Sequence, residues 1–332
     1  DDIKNTRTLL HEAIPITGTI SSGTYSDNNI KTFSHGMFES VYDYPYLSSS
    51  ANHIFDLTYG CSSDVSSSAN TQNAKKLNIY NQMAQVLVGY NESGSIRKFD
   101  SDGNTVETDS GRMDHCFFLN FSRLLSKDEV KKNSFRLQMF LSSSGEADGT
   151  GVNRTNSSLT TIGDYKSATE FRTSPAGDYG LLFLNEDEAT AGNSGSIGLI
   201  FYQAGVAVLT SSIFTGSFGI AGDTYRGTET LLDYSGLTGG QLAIQAAQTG
   251  STIERLADGF RRTMHDVDFN NTIELNSTIY FARINHNEFN YSSNPTYVSA
   301  SKIQVKDTNS DSPVSYATTI GLYGPDNALL AV

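Results

Sequence analysis

The chain has 332 residues, which is enough for one large domain or two ordinary ones. Its net charge of −13 comes from 36 acidic and 23 basic residues, and this argues against direct nucleic-acid binding, because a phosphate backbone requires clustered Lys and Arg. No apolar run in the sequence approaches the length that spans a membrane, so we expect no membrane insertion.

The composition predicts a β-rich fold. Aromatic side chains are plentiful, with 18 Phe and 17 Tyr but no Trp, and Ser, Thr, Asn and Gly fill much of the rest. Aromatic and β-branched residues suit pleated surfaces, whereas Gly, Asn and Ser suit turns. We therefore predict a mainly β protein with a few helices (α+β), built from antiparallel sheets and hairpins that are joined by long polar loops.

Residues 1–110 are predicted to form an N-terminal aromatic-rich region with one long helix and a hairpin. A short helix is expected from Thr8 to Ile14, and the irregular spacing of the aromatic residues between 25 and 60 favours a loop-rich packed patch. The long helix is predicted from Thr71 to Val88, because its apolar residues recur at helical spacing. Gly89 then ends it.

A β-hairpin is predicted from Ile96 to Thr108, with its turn at Asp102-Gly103. The segment Asp100 to Asn104 also resembles the start of a calcium-binding loop. Such a loop needs a closing Glu at its twelfth position, and here that position holds Gly111. A simple turn is therefore the favoured interpretation.

Residues 111–332 are predicted to form a second, β-rich domain. A helix near 252–264 is indicated by the capping pattern from Ser251 to Glu254 and by the apolar residues that follow it on one face. The other predicted elements, in chain order, are a buried strand at Cys116–Phe121, a short helix at Ser126–Lys132, a strand at Phe135–Leu141, a long loop near 142–163, a strand at Tyr179–Leu184, a hairpin over 196–209, and hairpins over 277–305 and 314–332.

Residue types that carry chemistry occur only in weak patterns. Cys61 and Cys116 lack the paired spacing of a zinc site, and two free thiols in a reducing cytoplasm are favoured over a disulfide. Ser194, within Gly-Asn-Ser-Gly, superficially resembles a protease nucleophile, but that chemistry also needs a positioned His and a carboxylate. His265 with Asp266, and His286 with Glu288, lack metal-ligand spacing. We therefore predict no enzyme activity, no cofactor and no metal.

Four stretches of the chain resemble a family of structural virion proteins from large contractile-tailed bacteriophages. They are His11–Ile20, Val41–Leu47, Phe289–Pro295 and Thr318–Tyr323. The resemblance implies a non-enzymatic structural subunit, in the tail or baseplate, that is assembled into the virion in the host cytoplasm. It implies other phage virion proteins and copies of the chain itself as partners. The motifs are structural, so the resemblance assigns no catalytic residue.

Two aromatic clusters are candidate subunit interfaces, because Tyr and Phe are enriched at interface cores. The residues are Tyr42, Tyr44, Tyr46, Phe289, Tyr291 and Tyr297. The first cluster could also be ordinary local core. Two alternative functions remain open, a receptor- or glycan-binding tail module that stacks sugars on these rings, and a structural protein of the neck or capsid. The first residue is not Met and the end at Val332 is apolar, so we expect the native chain to extend beyond both ends.

Overall fold

The computed structural model describes residues 3–15, 27–65, 70–104, 111–140, 159–190, 195–213, 252–281 and 319–332, with short pieces at 224–225, 229–230, 295, 298–299 and 302–303. The chain divides into two compact units, a larger unit of residues 8–275 and a smaller unit of residues 1–7 and 276–332. The boundary expected between residues 110 and 111 therefore lies inside the larger unit. The reason is that the strands His53–Cys61 and His115–Phe121, one on each side of it, pair along their lengths.

Strands dominate the described residues. They are β1 Ile3–Pro15, β2 Ile30–Thr32, β3 Glu39–Tyr42, β4 His53–Cys61, β5 His115–Phe121, β6 Glu129–Val130, β7 Arg136–Phe140, β8 Leu159–Gly163, β9 Arg172–Ser174, β10 Gly177–Phe183, β11 Ser196–Phe201, β12 Val206–Thr210, β13 Thr224–Tyr225, β14 Glu229–Thr230, β15 Met264–Tyr280, β16 Val298–Ser299, β17 Lys302–Ile303, β18 Leu322–Tyr323 and β19 Leu329–Ala331. The α-helices are α1 Thr71–Leu87, α2 Arg123–Ser126, α3 Glu186–Thr190 and α4 Ile253–Thr263.

One sheet of 13 strands forms the framework. Its order is β1-β15-β7-β8-β10-β11-β12-β5-β4-β3-β2, with β6 beside β15 and β9 beside β10. The strand pairs whose register is defined are antiparallel, and further two-stranded sheets form from β13 and β14, β16 and β17, and β18 and β19. The predicted fold class, mainly β with a few helices, is confirmed.

The helix α1 follows the sequence prediction closely. The Asn70 side chain caps its start by accepting a hydrogen bond from the Asn73 backbone N–H at 2.8 Å. It ends before Gly89, which adopts φ +82° and donates its N–H to the Ala84 carbonyl oxygen at 2.9 Å. The face that carries Leu77, Tyr80, Ala84 and Leu87 is buried, and α1 packs on β4. The predicted helix and its glycine stop are confirmed.

The helix α4 is also confirmed, with a different cap. Thr252, rather than Ser251, occupies the cap position and accepts a hydrogen bond from the Arg255 N–H at 3.3 Å. Phe260 is fully buried, and its ring lies 4.8 Å from that of Phe117 on β5. This contact fixes α4 against the centre of the sheet. Met264 does not continue the helix but begins β15.

Several predictions for the first half of the chain were wrong. Thr8–Ile14 belongs to the strand β1 rather than to a helix, because pairing with β15 overrides its local helical preference. The aromatic patch between 25 and 60 is built on β2, β3 and β4, which are successive paired strands and not a loop-rich region. Residues 96–99, the first arm of the expected hairpin, form no strand and show only isolated bridges from Tyr90 to Ile96 and from Asp100 to Arg112, whereas the second arm, 105–108, lies outside the described residues.

Three boundaries in the second half also differ from the sequence prediction. The helix expected at Ser126–Lys132 does not form. The short helix α2 ends at Ser126, because Lys127 adopts φ +54°, which is not a helical conformation, and the strand β6 follows. The loop predicted over 142–163 is shorter, because its last five residues are β8. The strand expected from 277 begins earlier, at Met264. The strands β5, β7, β10 and the β11–β12 hairpin are confirmed.

A buried carboxylate joins separate parts of the sheet. Asp164 follows β8 and is fully buried. Its two oxygens accept hydrogen bonds of 2.6 to 3.1 Å from four places in the chain: the segment before β7, β7 itself, the turn that follows β8, and the residue that follows β11. The donors are the Asn133 N–H, the Phe135 N–H, the Arg136 guanidinium, the Ser167 hydroxyl and the Tyr202 hydroxyl. Burial raises the pKa of Asp164, and these hydrogen bonds partly offset that rise.

We predict that Gly60→Ala destabilises the packing of α1 on β4. A Cβ at Gly60 would lie 2.8 Å from the Tyr80 backbone nitrogen and 3.1 Å from the Lys76 carbonyl oxygen, so the helix backbone itself would have to move. The expected loss of unfolding free energy is about 1–3 kcal/mol, measured by urea denaturation. Gln85→Ala, on the exposed face of the same helix, is the control and should change the unfolding free energy by less than about 0.5 kcal/mol. Equal effects of the two substitutions would contradict the close contact.

We also predict that Asp164→Asn destabilises the larger unit by about 3 kcal/mol, because the amide replaces one acceptor oxygen by an NH₂ group where the surrounding backbone N–H groups, guanidinium and hydroxyls all donate to the carboxylate. Asp187→Asn removes the same charge from the exposed surface of α3 and is the matched control. Urea denaturation of both variants gives the comparison. A loss below about 0.5 kcal/mol for Asp164→Asn would show that the hydrogen-bond network is dispensable.

Candidate interaction surfaces

Exposed and half-buried aromatic rings gather where the sheet ends at β2 and β3. We call this surface the aromatic edge; its residues are Phe33, His35, Phe38, Tyr42, Tyr44 and Tyr46. Phe33 stacks on His35 with centroids 5.2 Å apart and planes 6° apart, and the Phe38 ring lies within 5.0 Å of both. The Lys31 ammonium lies 5.1 Å from the Phe33 centroid. β2 is the last strand of the sheet, so these rings border its edge.

The three tyrosines of the aromatic edge lie on or beside the loop that joins β3 to β4. The rings of Tyr42 and Tyr46 are 6.5 Å apart, and Tyr44 is the most exposed of the three, at 57%. Hydrogen bonds brace this loop. The Asp43 carboxylate accepts from the Asn52 N–H at 2.6 Å and from the Asn52 amide at 2.8 Å. The loop therefore presents its rings from a fixed backbone.

The structure places the rings of Tyr42 and Tyr46 close together, with Tyr44 on the same loop, and their role in an interface stays a prediction. Phe289, Tyr291 and Tyr297, the other predicted interface residues, lie outside the described residues. Tyr42 is half-buried and contacts the His53 ring at 5.5 Å, so it supports the surface from beneath. Tyr44 and Tyr46 are the members that offer ring area to a partner.

A second surface is the C-terminal hairpin, residues 319–332, which contains β18 and β19. Its side chains are apolar and exposed on both strands: Ile320, Leu322, Tyr323, Leu329, Leu330 and Val332 have between 53% and 78% of their area accessible. The sequence predicted a hairpin here but assigned it no interface role. The available signal was the lack of alternation between polar and apolar residues from Leu329 to Val332.

The described residues hold no group of three potential metal-ligating side chains. Asp100 to Gly103 forms a turn, in which the Gly103 N–H donates to the Asp100 carbonyl oxygen at 3.1 Å and Gly103 adopts φ +66°. Ser194, His286 and Glu288 lie outside the described residues. Cys61 and Cys116 are free, buried thiols, so the prediction that they do not form a disulfide is confirmed.

A group of titratable side chains lies in the core where α1 covers β4 and β5. The Tyr59 hydroxyl is 2.9 Å from His115 Nδ1, and the Lys76 ammonium lies 5.9 Å from the Tyr59 centroid. Burial lowers the pKa of His115 to about 4 and that of Lys76 to about 8. Lys76 and Tyr59 have no accessible surface, so a substrate could not reach them. This group contributes to the core rather than to an active site.

Comparison with known proteins returns no relative. No protein-family model, no curated protein and no solved structure matches the chain. Within the described part of the chain, no helix has both the length and the apolar character needed to cross a membrane. The function proposed below therefore rests on the geometry of the chain itself.

The shifted pKa of His115 predicts a pH dependence of stability. The folded value of about 4 lies below the ordinary value of 6.5, so the unfolded chain takes up this proton first as the pH falls. The part of the unfolding free energy that depends on His115 is fully present above pH 6.5 and is lost as the pH falls toward 4. The loss is roughly 3 kcal/mol, because each unit of difference between the folded and unfolded pKa corresponds to about 1.4 kcal/mol. His115→Gln should remove this part of the decline in urea denaturation.

His35→Gln is the control, since His35 is exposed on the aromatic edge. It should retain the pH dependence of the parent protein. An unchanged slope between pH 6.5 and 4 in His115→Gln would show that His115 is not the group that titrates.

Proposed function

We propose that the chain is a non-enzymatic structural subunit of a bacteriophage virion, in the tail or baseplate, and that it acts through contacts between subunits. The observation that carries this proposal is the C-terminal hairpin. A two-stranded hairpin is at best marginally stable alone in water, and this one exposes apolar side chains along both strands. Such a surface indicates a protein partner.

The charge of the hairpin supports the same proposal. Asp326 is the one side chain in residues 319–332 that carries a charge at neutral pH, in a chain whose net charge is −13. Copies of an acidic protein repel one another, so a contact between them is least costly where charge is lowest. The hairpin therefore suits contacts with copies of the chain as well as with other virion proteins.

The aromatic edge supports a second contact. Tyr44 and Tyr46 are exposed at 57% and 37%, on a loop that hydrogen bonds hold in place. Rigid aromatic side chains lose little conformational entropy when they bind, which makes them effective interface residues. The same rings are the observation that favours the second candidate function, a receptor- or glycan-binding tail module, since exposed Tyr rings can also stack on sugars. A neck or capsid position is a third proposal.

We predict that Leu330→Lys weakens self-association of the purified chain at least about tenfold, because it places a charge within the apolar hairpin contact. Sedimentation velocity over a concentration series measures this change. Leu124→Lys is the matched control: Leu124 is 79% exposed, compared with 71% for Leu330, but lies on α2. Both substitutions are at exposed sites, so circular dichroism should show parental folding. The same association constant for both variants would exclude the hairpin as the contact.

Location in particles tests the virion proposal itself. Cryo-EM density in symmetric copies, or mass spectrometry of separated heads and tails, should find the chain in the tail or baseplate. Detection in the head or neck would select the third proposal. Absence from particles would overturn the virion role, and binding of glycans by the isolated chain, lost in Tyr44→Ala, would then favour the second candidate.

A further inference from the structure

A small cleft opens at the surface of the larger unit, and the residues that line it belong to neither surface described above. It lies between the end of α1, the segment 97–104 and the β9–β10 hairpin. Val88, Pro175 and Leu199 form its apolar side.

The nearly buried side chain of Tyr179 contributes a hydroxyl group to the lining of the cleft. Its side chain is 8% exposed, and its ring stacks on Phe201 with centroids 5.2 Å apart, which fixes its orientation. Among the described residues, the Tyr179 hydroxyl takes part in no hydrogen bond. A buried hydroxyl normally has a partner, and a ligand in the cleft would provide one.

Arg97 adds further donors to the same cleft. Its guanidinium makes one hydrogen bond within the described part of the chain, from Nη2 to the Asn104 carbonyl oxygen at 3.2 Å. Because a guanidinium carries five N–H donors, most of its capacity is left for a ligand. Planar guanidinium groups bind carboxylates with two parallel hydrogen bonds.

The other charged groups at the cleft are already engaged. Lys98 pairs with Asp64, and the Asp100 carboxylate accepts a hydrogen bond from the Asp102 N–H at 3.2 Å. Burial raises the pKa of Tyr179. The positive charges of Arg172 and Arg97 act against that rise, and the negative charge of Asp100 adds to it. The polar groups with hydrogen-bonding capacity left are therefore the Arg97 guanidinium and the Tyr179 hydroxyl, and both can donate. They match a ligand rich in acceptor oxygens.

We propose that this cleft binds a small carboxylate carried on a hydroxylated body, the chemistry of a sugar acid. The carboxylate pairs with Arg97 and with the Tyr179 hydroxyl. The body of the ligand lies against Val88, Pro175 and Leu199. This site goes beyond the structural role proposed above and does not depend on it.

Calorimetric titration of the full chain with D-glucuronate tests the proposal, and D-glucose is the neutral probe of similar size. Glucuronate should bind with a millimolar dissociation constant, and glucose about tenfold more weakly or not at all. Arg97→Gln should weaken glucuronate binding about tenfold. Tyr179→Phe should weaken it severalfold, and since it keeps the stacked ring it should also keep the fold.

Arg123→Gln is the matched control, because it removes the same charge from an exposed residue on α2. It should bind glucuronate as the parent chain does. Three results would overturn the proposal: no heat with millimolar glucuronate, equal binding of glucose, or equal binding by Arg97→Gln and Arg123→Gln. Sodium sulfate is the last probe. Sulfate binding as tight as that of glucuronate would show a general anion site and reject the sugar-acid class.

Discussion

The sheet of the larger unit depends on one buried carboxylate. Asp164 accepts hydrogen bonds from the backbone just before β7, from Ser167 in the turn that follows β8, and from the Tyr202 hydroxyl after β11. Removing a charge from water is costly, and only this full set of donors makes its burial tolerable. The same hydrogen bonds therefore satisfy the carboxylate and fix where three parts of the chain meet. The framework that positions Tyr179 and the cleft is built on them.

Close packing accounts for the rest of this framework. Gly60 lets the backbone of α1 lie directly on β4, and Phe260 brings α4 onto β5. The core between these elements is dense enough to bury Lys76 and Tyr59 completely. The C-terminal hairpin, within the smaller unit, shows the opposite pattern, since its large apolar side chains are exposed. This exposed apolar surface, in a chain whose larger unit is closely packed, is the observation on which the structural role proposed above depends.

Local signals in the sequence were sufficient where local chemistry decides the structure. The helical spacing of α1 and the stop at Gly89 predicted that helix, and the apolar runs of β5, β11 and β12 predicted buried strands. The predictions failed where distant pairing decides. β1 is a strand because it pairs with β15. The residue pattern within Thr8–Ile14 contains no information about that distant partner.

The candidate sites show the same difference. The tyrosines of the aromatic edge are close in sequence, so their clustering was visible from composition and spacing. The cleft joins Arg97 to Tyr179, which are more than 80 positions apart and meet only when the β9–β10 hairpin packs beside the segment that follows α1. Its donors come from side chains that no motif links. Strand pairing brings such residues together, so a site of this kind can be identified only once the fold is known.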